Sequence, residues 1–229
     1  MNTGTRETLD RKIQEHLDDI LLLGNMVVKA ILGAVDALKE RDLKAARHIY
    51  NEDKNINERR FDIERRTLIT VATQQPMARD LRILASVLDV SGELERIGDY
   101  AKGIARITIM LGDEAPLKPL IDVPKMAQIT VDMLQRALEA FVESDAETAQ
   151  SIQQEDDKVD ELYNLVYQEL LQFMIKDQST VDKATFLLWV AHNLERAADR
   201  VTNICKRTIF TATGRLAEIN NSDDEVREF

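Results

Sequence analysis

The chain has 229 residues, 44% of them hydrophobic, which supports one substantial core or two small ones and excludes a disordered or fibrous class. A formal charge of −11 and a pI near 4.9 would repel a phosphate backbone and argue against direct nucleic-acid binding. Cys205 is the only cysteine, so neither an intrachain disulfide nor an intrachain thiolate metal cluster can form, and it reads as a small helix residue.

The amino terminus, MNTGTRETLDRK, carries no apolar segment of signal-peptide type, and the run Ile20–Gly24 is too short to span a bilayer; a soluble, cytoplasmic protein is expected. Only 8 Gly and 4 Pro occur, too few turn signals for a strand-rich domain, so the fold is expected to be all-α. From about Thr8 to Glu40, Ile13, Leu17, Ile20, Met26, Val27, Ile31, Ala34 and Leu38 recur at the spacing of one helix face. Asp42 then reads as the N-cap of a second helix, and Gln75-Pro76 as the break before a third. The stretch Leu111–Pro124 holds three of the four prolines and reads as a linker. Beyond it, Asp145 and Ser179 mark the corresponding cap and break, and after Gly214 the sequence turns polar and acidic like a flexible tail. Short connections make successive helices antiparallel neighbours. The expectation is therefore six antiparallel helices in two tandem three-helix bundles with pseudo-two-fold symmetry, spanning residues 8–111 and 125–213, with a linker at 112–124 and a tail at 214–229.

The halves repeat each other. GELERIGDYAKGI at Gly92–Ile104 returns as HNLERAADRVTNI at His192–Ile204, and EDKNINE at Glu52–Glu58 as EDDKVDE at Glu155–Glu161. Ala34, Ala37, Leu38, Asp42 and Ala46 align with Ala137, Ala140, Phe141, Asp145 and Ala149. The duplication turns one weak motif into a pair of matched sites.

Residues four apart share a helix face, so Glu95 with Asp99, Glu195 with Asp199, Asp156 with Asp160, and Asp53 with Asn57 each project together. Second and third helices of a bundle are neighbours, so each half could converge two such pairs. Like charges at this spacing cost about 0.2–0.5 kcal/mol per pair. A hard cation between them would resolve the conflict, and carboxylate and amide oxygens suit magnesium, calcium, manganese or iron. Scarce His and Cys argue against an ordinary structural zinc site. Against metal, Arg96 and Arg196 lie three residues before Asp99 and Asp199, so surface salt bridges explain those pairs equally well. Asp53 and Asn57 share a stripe with Ala46, Tyr50, Phe61 and Leu68, which points to an inward or interface location. His192 lies on the face of Glu195 but reads better as solvent-facing or otherwise satisfied.

No Glu-x-x-His pair precedes His16, His48 or His192, as a di-iron carboxylate bundle would need. No nucleophile motif or Gly-rich phosphate loop occurs, so no catalytic residue is assigned and an enzyme is not expected. Arg59/Arg60, Arg65/Arg66 and Arg79/Arg82 read as solvated faces rather than phosphate sites, and Trp189 as a core residue.

Two three-helix halves with Leu-Glu-Arg-x-x-Asp on each third helix and the two acidic segments on the second helices resemble the PhoU family of phosphate-uptake regulators, over about Leu9–Phe210. The resemblance implies a cytoplasmic negative regulator of the phosphate-starvation response. It would couple the ATPase subunit of a phosphate ABC transporter to a phosphate-sensing histidine kinase; apart from the resemblance, the long faces that such bundles expose lead to the expectation of a homodimer. It also implies a divalent or multinuclear metal (iron, manganese, magnesium or zinc). That metal would lie on Asp53, Asn57, Glu95 and Asp99 in the first half and on Asp156, Asp160, Glu195 and Asp199 in the second. Asn57 departs from the pattern by replacing a carboxylate. A carboxylate-bridged metal-storage or redox bundle and a metal-free helical adaptor remain the alternatives.

Overall fold

The computed structural model describes residues 3–215. Among them lie seven α-helices and no strand: α1 (Thr3–Glu40), α2 (Leu43–Gln74), α3 (Arg79–Leu111), α4 (Asp122–Glu143), α5 (Ala146–Gln153), α6 (Asp156–Lys176) and α7 (Val181–Thr213), with a short 3₁₀ turn at Gln178–Thr180. The acidic tail, beyond Arg215, lies outside the described residues.

Helix α1 is apolar enough over 18 residues to cross a membrane by length and composition, which inspection of Ile20–Gly24 alone misses. Half of that window is buried in the protein, and along the helix Ile13, Leu17, Ile20, Leu23, Val27 and Ile31 all enter the core. Its apolarity is thus accounted for by packing against α2, α3 and α4.

The turns repeat as the sequence does. Arg41 and Ser144 hold the same left-handed conformation, φ 57°, immediately before Asp42 and Asp145. Asp42 Oδ1 accepts from the amides of Lys44 and Ala45 at 2.9 Å, and Asp145 Oδ1 from those of Glu147 and Thr148 at 3.0 and 3.1 Å. Both N-caps stand as expected. Asp42→Ala is expected to cost about 1 kcal/mol in chemical denaturation, with Asp145→Ala acting in the same direction.

Two boundaries differ from expectation. Pro76 lies in the loop rather than in the first turn of α3, whose N-cap is Ala78, without a side-chain bond. Before α7 the capping acceptor is Asp177, which takes the amide of Ser179 at 2.9 Å, while Ser179 sits inside the 3₁₀ turn. A carboxylate two residues upstream does what a Ser hydroxyl does less well.

The second helix of the second half is divided, where three helices per half were expected. At Gln154–Glu155 the amides reach back to Ser151 and Ile152 in tighter three-residue turns. Arg136 of α4 grips Glu155 with both terminal nitrogens, at 2.7 and 3.2 Å, and holds that turn. At the repeat positions the first half has Gly33 and Glu52, with no such pair, and α2 runs through unbroken.

The two halves share one core. Helix α1 packs on α4 and α3 on α7, each first or third helix meeting its own counterpart, as a pseudo-two-fold axis requires. The third helices cross antiparallel. Gly103 lies against Asn193, while at the mirrored register Glu93 meets Arg200 and Asn203, and Asp89 meets Arg207 at 3.2 Å. Both acidic motifs thus sit on long helices anchored in a common interior.

Candidate functional site

In the first half, Asp53 lies at the α2–α3 contact with 4% of its surface exposed. Gly98 permits that approach: a Cβ there would stand 3.2 Å from Ile56 and 3.9 Å from Asp53 Oδ1. The Asp53 Oδ2 takes the Lys102 ammonium at 2.6 Å and the Asn57 side-chain amide at 3.0 Å. Its Oδ1 is buried without a hydrogen-bond partner. Glu95 and Asp99 complete the group from α3. Burial, then the neighbouring Asp99 charge, pushes the Glu95 carboxyl above its ordinary value; burial, then Asp53, does the same to Asp99. Asp53, Glu95 and Asp99 therefore feel one another, as the helix spacing predicts. A cleft of about 270 Å³ opens beside them, lined by Lys29, His48, Glu52, Asp53 and Lys102 among others.

In the second half, Asp156 is the first residue of α6 and Asp160 lies one turn on. Glu195 and Asp199 face them from α7. Burial raises the Asp156 carboxyl to about 7, reinforced by the charges of Asp160, Asp199 and Glu195. The same four residues named from sequence are thus electrostatically one cluster. Asp156 Oδ1 is buried without a hydrogen-bond partner. Arg196 pairs with Asp199 at 2.6 Å, so the salt-bridge reading of Glu-Arg-x-x-Asp is realised here. His192, more than half exposed, reaches Glu195 at 3.3 Å through Nδ1, so it is both solvent-facing and attached to the cluster.

Among the described residues, no three His, Cys, Asp or Glu side chains are gathered closely enough to hold a metal ion as they stand. The donor sets differ in how well they would fit one. Asp156, Asp160, Glu195 and Asp199 supply hard anionic oxygens, partly desolvated and mutually repelling, which suit a divalent cation that draws them together. In the first half a lysine already occupies the most buried carboxylate.

Several other readings change. The Asp53 stripe is not uniformly inward: Phe61 is 60% exposed and Leu68 and Tyr50 also face out, with Arg60 stacked over Phe61. Trp189 is half exposed rather than core, edge-on to Phe186 beside a groove containing Gly103, Met110 and His192. Arg59 and Arg66 are not a solvated face, since both bind Asp19. Cys205 is buried, and burial pushes its thiol up to about 12, which makes it inert. Sequence reading missed Lys102. The signal was present, since Thr202 stands at its repeat position, but only the contact with Asp53 shows what the difference does.

The PhoU domain model matches this chain twice, at residues 20–108 and 123–208. The chain belongs to the PhoU family. The two matched segments correspond to α1–α3 and α4–α7, each carrying one acidic cluster. Among curated relatives, the phosphate-specific transport system accessory protein PhoU homolog of Clostridium acetobutylicum is 33% identical, covering 95% of this chain and all of the relative. The homolog of Aquifex aeolicus is 31% identical over 92% and 95% of the two chains. Among solved structures, the phosphate transport system regulatory protein PhoU from Streptococcus pneumoniae superposes with a TM-score of 0.86 at 31% identity, covering 92% of this chain and all of that one. PhoU from Pseudomonas aeruginosa gives 0.85 at 30%, covering 90% and 99%. The PhoU-family fold is thus an all-α pair of helical repeats, as the patterning predicts.

Proposed function

We propose that this PhoU-family chain is a negative regulator of the phosphate-starvation response. In this reading it is a cytoplasmic helical adaptor that couples the ATPase subunit of a phosphate ABC transporter to a phosphate-sensing histidine kinase, and it acts as a homodimer. The observation that carries the proposal is full-length similarity, across both repeats, to accessory proteins of the phosphate-specific transport system. The architecture suits the role: long helices present acidic faces and exposed apolar side chains such as Trp189 and Phe61.

A divalent cation belongs to the proposal in the second half, where Asp156, Asp160, Glu195 and Asp199 would hold it. Bound there, it would neutralise the carboxylates and turn a repelling patch into an ordered surface. The residues themselves set what that surface offers a partner. Asp156 and Asp160 start α6, Arg196 orients Asp199, and His192 orients Glu195.

Deleting the gene is expected to make phosphate-uptake genes constitutive at high phosphate, read as transcript levels. Normal repression in the deletion strain would sink the regulatory reading.

A further inference from the structure

We infer that the first repeat carries its own cation, the Lys102 ammonium, in place of a metal ion, so that only the second repeat is metal-competent. The inference rests on the proposed metal role of the second-half carboxylates and limits it to one half of the duplicated site.

Three observations converge. First, Lys102 Nζ lies 2.6 Å from Asp53 Oδ2, against the most buried carboxylate of the cluster, while its own side chain keeps a third of its surface exposed. The charged end is therefore hydrated on one side and paired on the other, an arrangement that stabilises the ion pair without full desolvation. The ammonium also lies over the Tyr50 ring, 5.5 Å from its centroid, a second attraction that holds it in place.

Second, the α2 partner in this half is an amide whose donor side is turned inward. Asn57 Nδ2 gives hydrogen bonds to Asp53 Oδ2 at 3.0 Å and to the Asp53 carbonyl at 3.2 Å. Two donors converge on the same carboxylate oxygen. A metal ion seeking Asp53 would have to displace a lysine and rotate an amide, and it would then gain one carboxylate fewer than in the second half.

Third, duplication supplies an internal control. The repeat position of Lys102 is Thr202, whose hydroxyl bonds the Asp199 carbonyl at 2.8 Å and brings no charge. The repeat position of Asn57 is Asp160. Three carboxylates with an ammonium thus face four carboxylates at matched registers of one fold. Lys102 also lines the cleft beside Asp53, the open space next to that carboxylate. A lysine fixed beside a carboxylate repels an incoming divalent ion and competes for the same oxygen.

The test is Mn²⁺ uptake by the full chain, stripped with chelator, re-equilibrated with Mn²⁺, and read by elemental analysis with circular dichroism as a fold control. The wild type is expected to take up Mn²⁺ that Asp156→Asn abolishes and Asp53→Asn leaves unchanged. Lys102→Thr, which copies the second half, and Lys102→Met, which keeps the packing stem, are expected to add further Mn²⁺ that Asp53→Asn removes. Wild-type Mn²⁺ lost equally in Asp53→Asn and Asp156→Asn overturns the inference. So does wild-type loading in the second half with no gain in either Lys102 variant, which leaves the second-half metal reading standing. No Mn²⁺ in any variant overturns the metal reading itself. If the Lys102 variants misfold, the comparison of Asp53→Asn with Asp156→Asn, which keeps Lys102, still decides.

Discussion

Replacing Asp156 with Asn is expected to stabilise the metal-free protein by about 2 kcal/mol at pH 8, with the gain disappearing by about pH 4. The folded state holds a proton on Asp156 up to about 7, whereas the ordinary value is 3.8, because burial and the charges of Asp160, Asp199 and Glu195 disfavour the anion. Between those values the native state binds more protons than the unfolded state, so stability falls as pH rises through that window and levels off above it. At about 1.4 kcal/mol per pH unit the full difference would approach ~4 kcal/mol. The side chain keeps part of its hydration, which halves that to roughly 2 kcal/mol. Asn cannot ionise, so the penalty goes with it. Urea denaturation in chelator at pH 4, 6 and 8 checks the prediction. An equal gain at every pH, or none at pH 8, would refute the electrostatic cause. A carboxylate that costs the folded protein stability in this way is consistent with the proposed cation, whose charge would offset it.

Much of this was legible in the sequence, and the divide follows from physics. Helix patterning and the Asp42 and Asp145 caps depend on neighbours within one turn, so they read directly. The association of Glu95 with Asp99 and of Glu195 with Asp199 follows from helix spacing alone. Their coupling to Asp53 and Asp156 follows from short connections, which force second and third helices together. What stayed hidden depends on packing between distant segments. The break before α6 needs Arg136 of α4, and the neutralisation of Asp53 needs Lys102 to bend back toward α2. Trp189 has the pattern of a core residue, yet the antiparallel α3–α7 crossing leaves it half exposed. Periodicity says which residues share a face, and only the tertiary crossing says which faces are covered.

Asp19→Ala is expected to destabilise the protein by about 3 kcal/mol, the largest loss among the polar substitutions considered. Asp19 is only 6% exposed and takes Arg59 at 2.7 Å on one oxygen and Arg66 at 2.5 Å on the other, bridging α1 to α2. One turn before it, buried His16 bonds the Thr70 hydroxyl at 2.9 Å, and burial followed by the Arg66 charge lowers its basicity so that it stays neutral. Removing one member of a buried pair costs about 3–5 kcal/mol because the other charge is stranded. Arg59 and Arg66 retain about a third of their surface in water, which favours the lower end of that range. The second half solves the same contact differently. At the repeat position of Arg66 stands Glu169, which pairs with Lys118 of the connector, so the connector lies against α6 where the amino-terminal turns of α1 lie against α2. That exchange lets α1 run for 38 residues and α4 for only 22 in otherwise matched repeats. A double-mutant cycle of Asp19→Ala with Arg66→Ala, read by urea denaturation, should give a coupling of at least about 1 kcal/mol. Additive losses would show that Asp19 stabilises α1 by itself, and not by fastening it to α2.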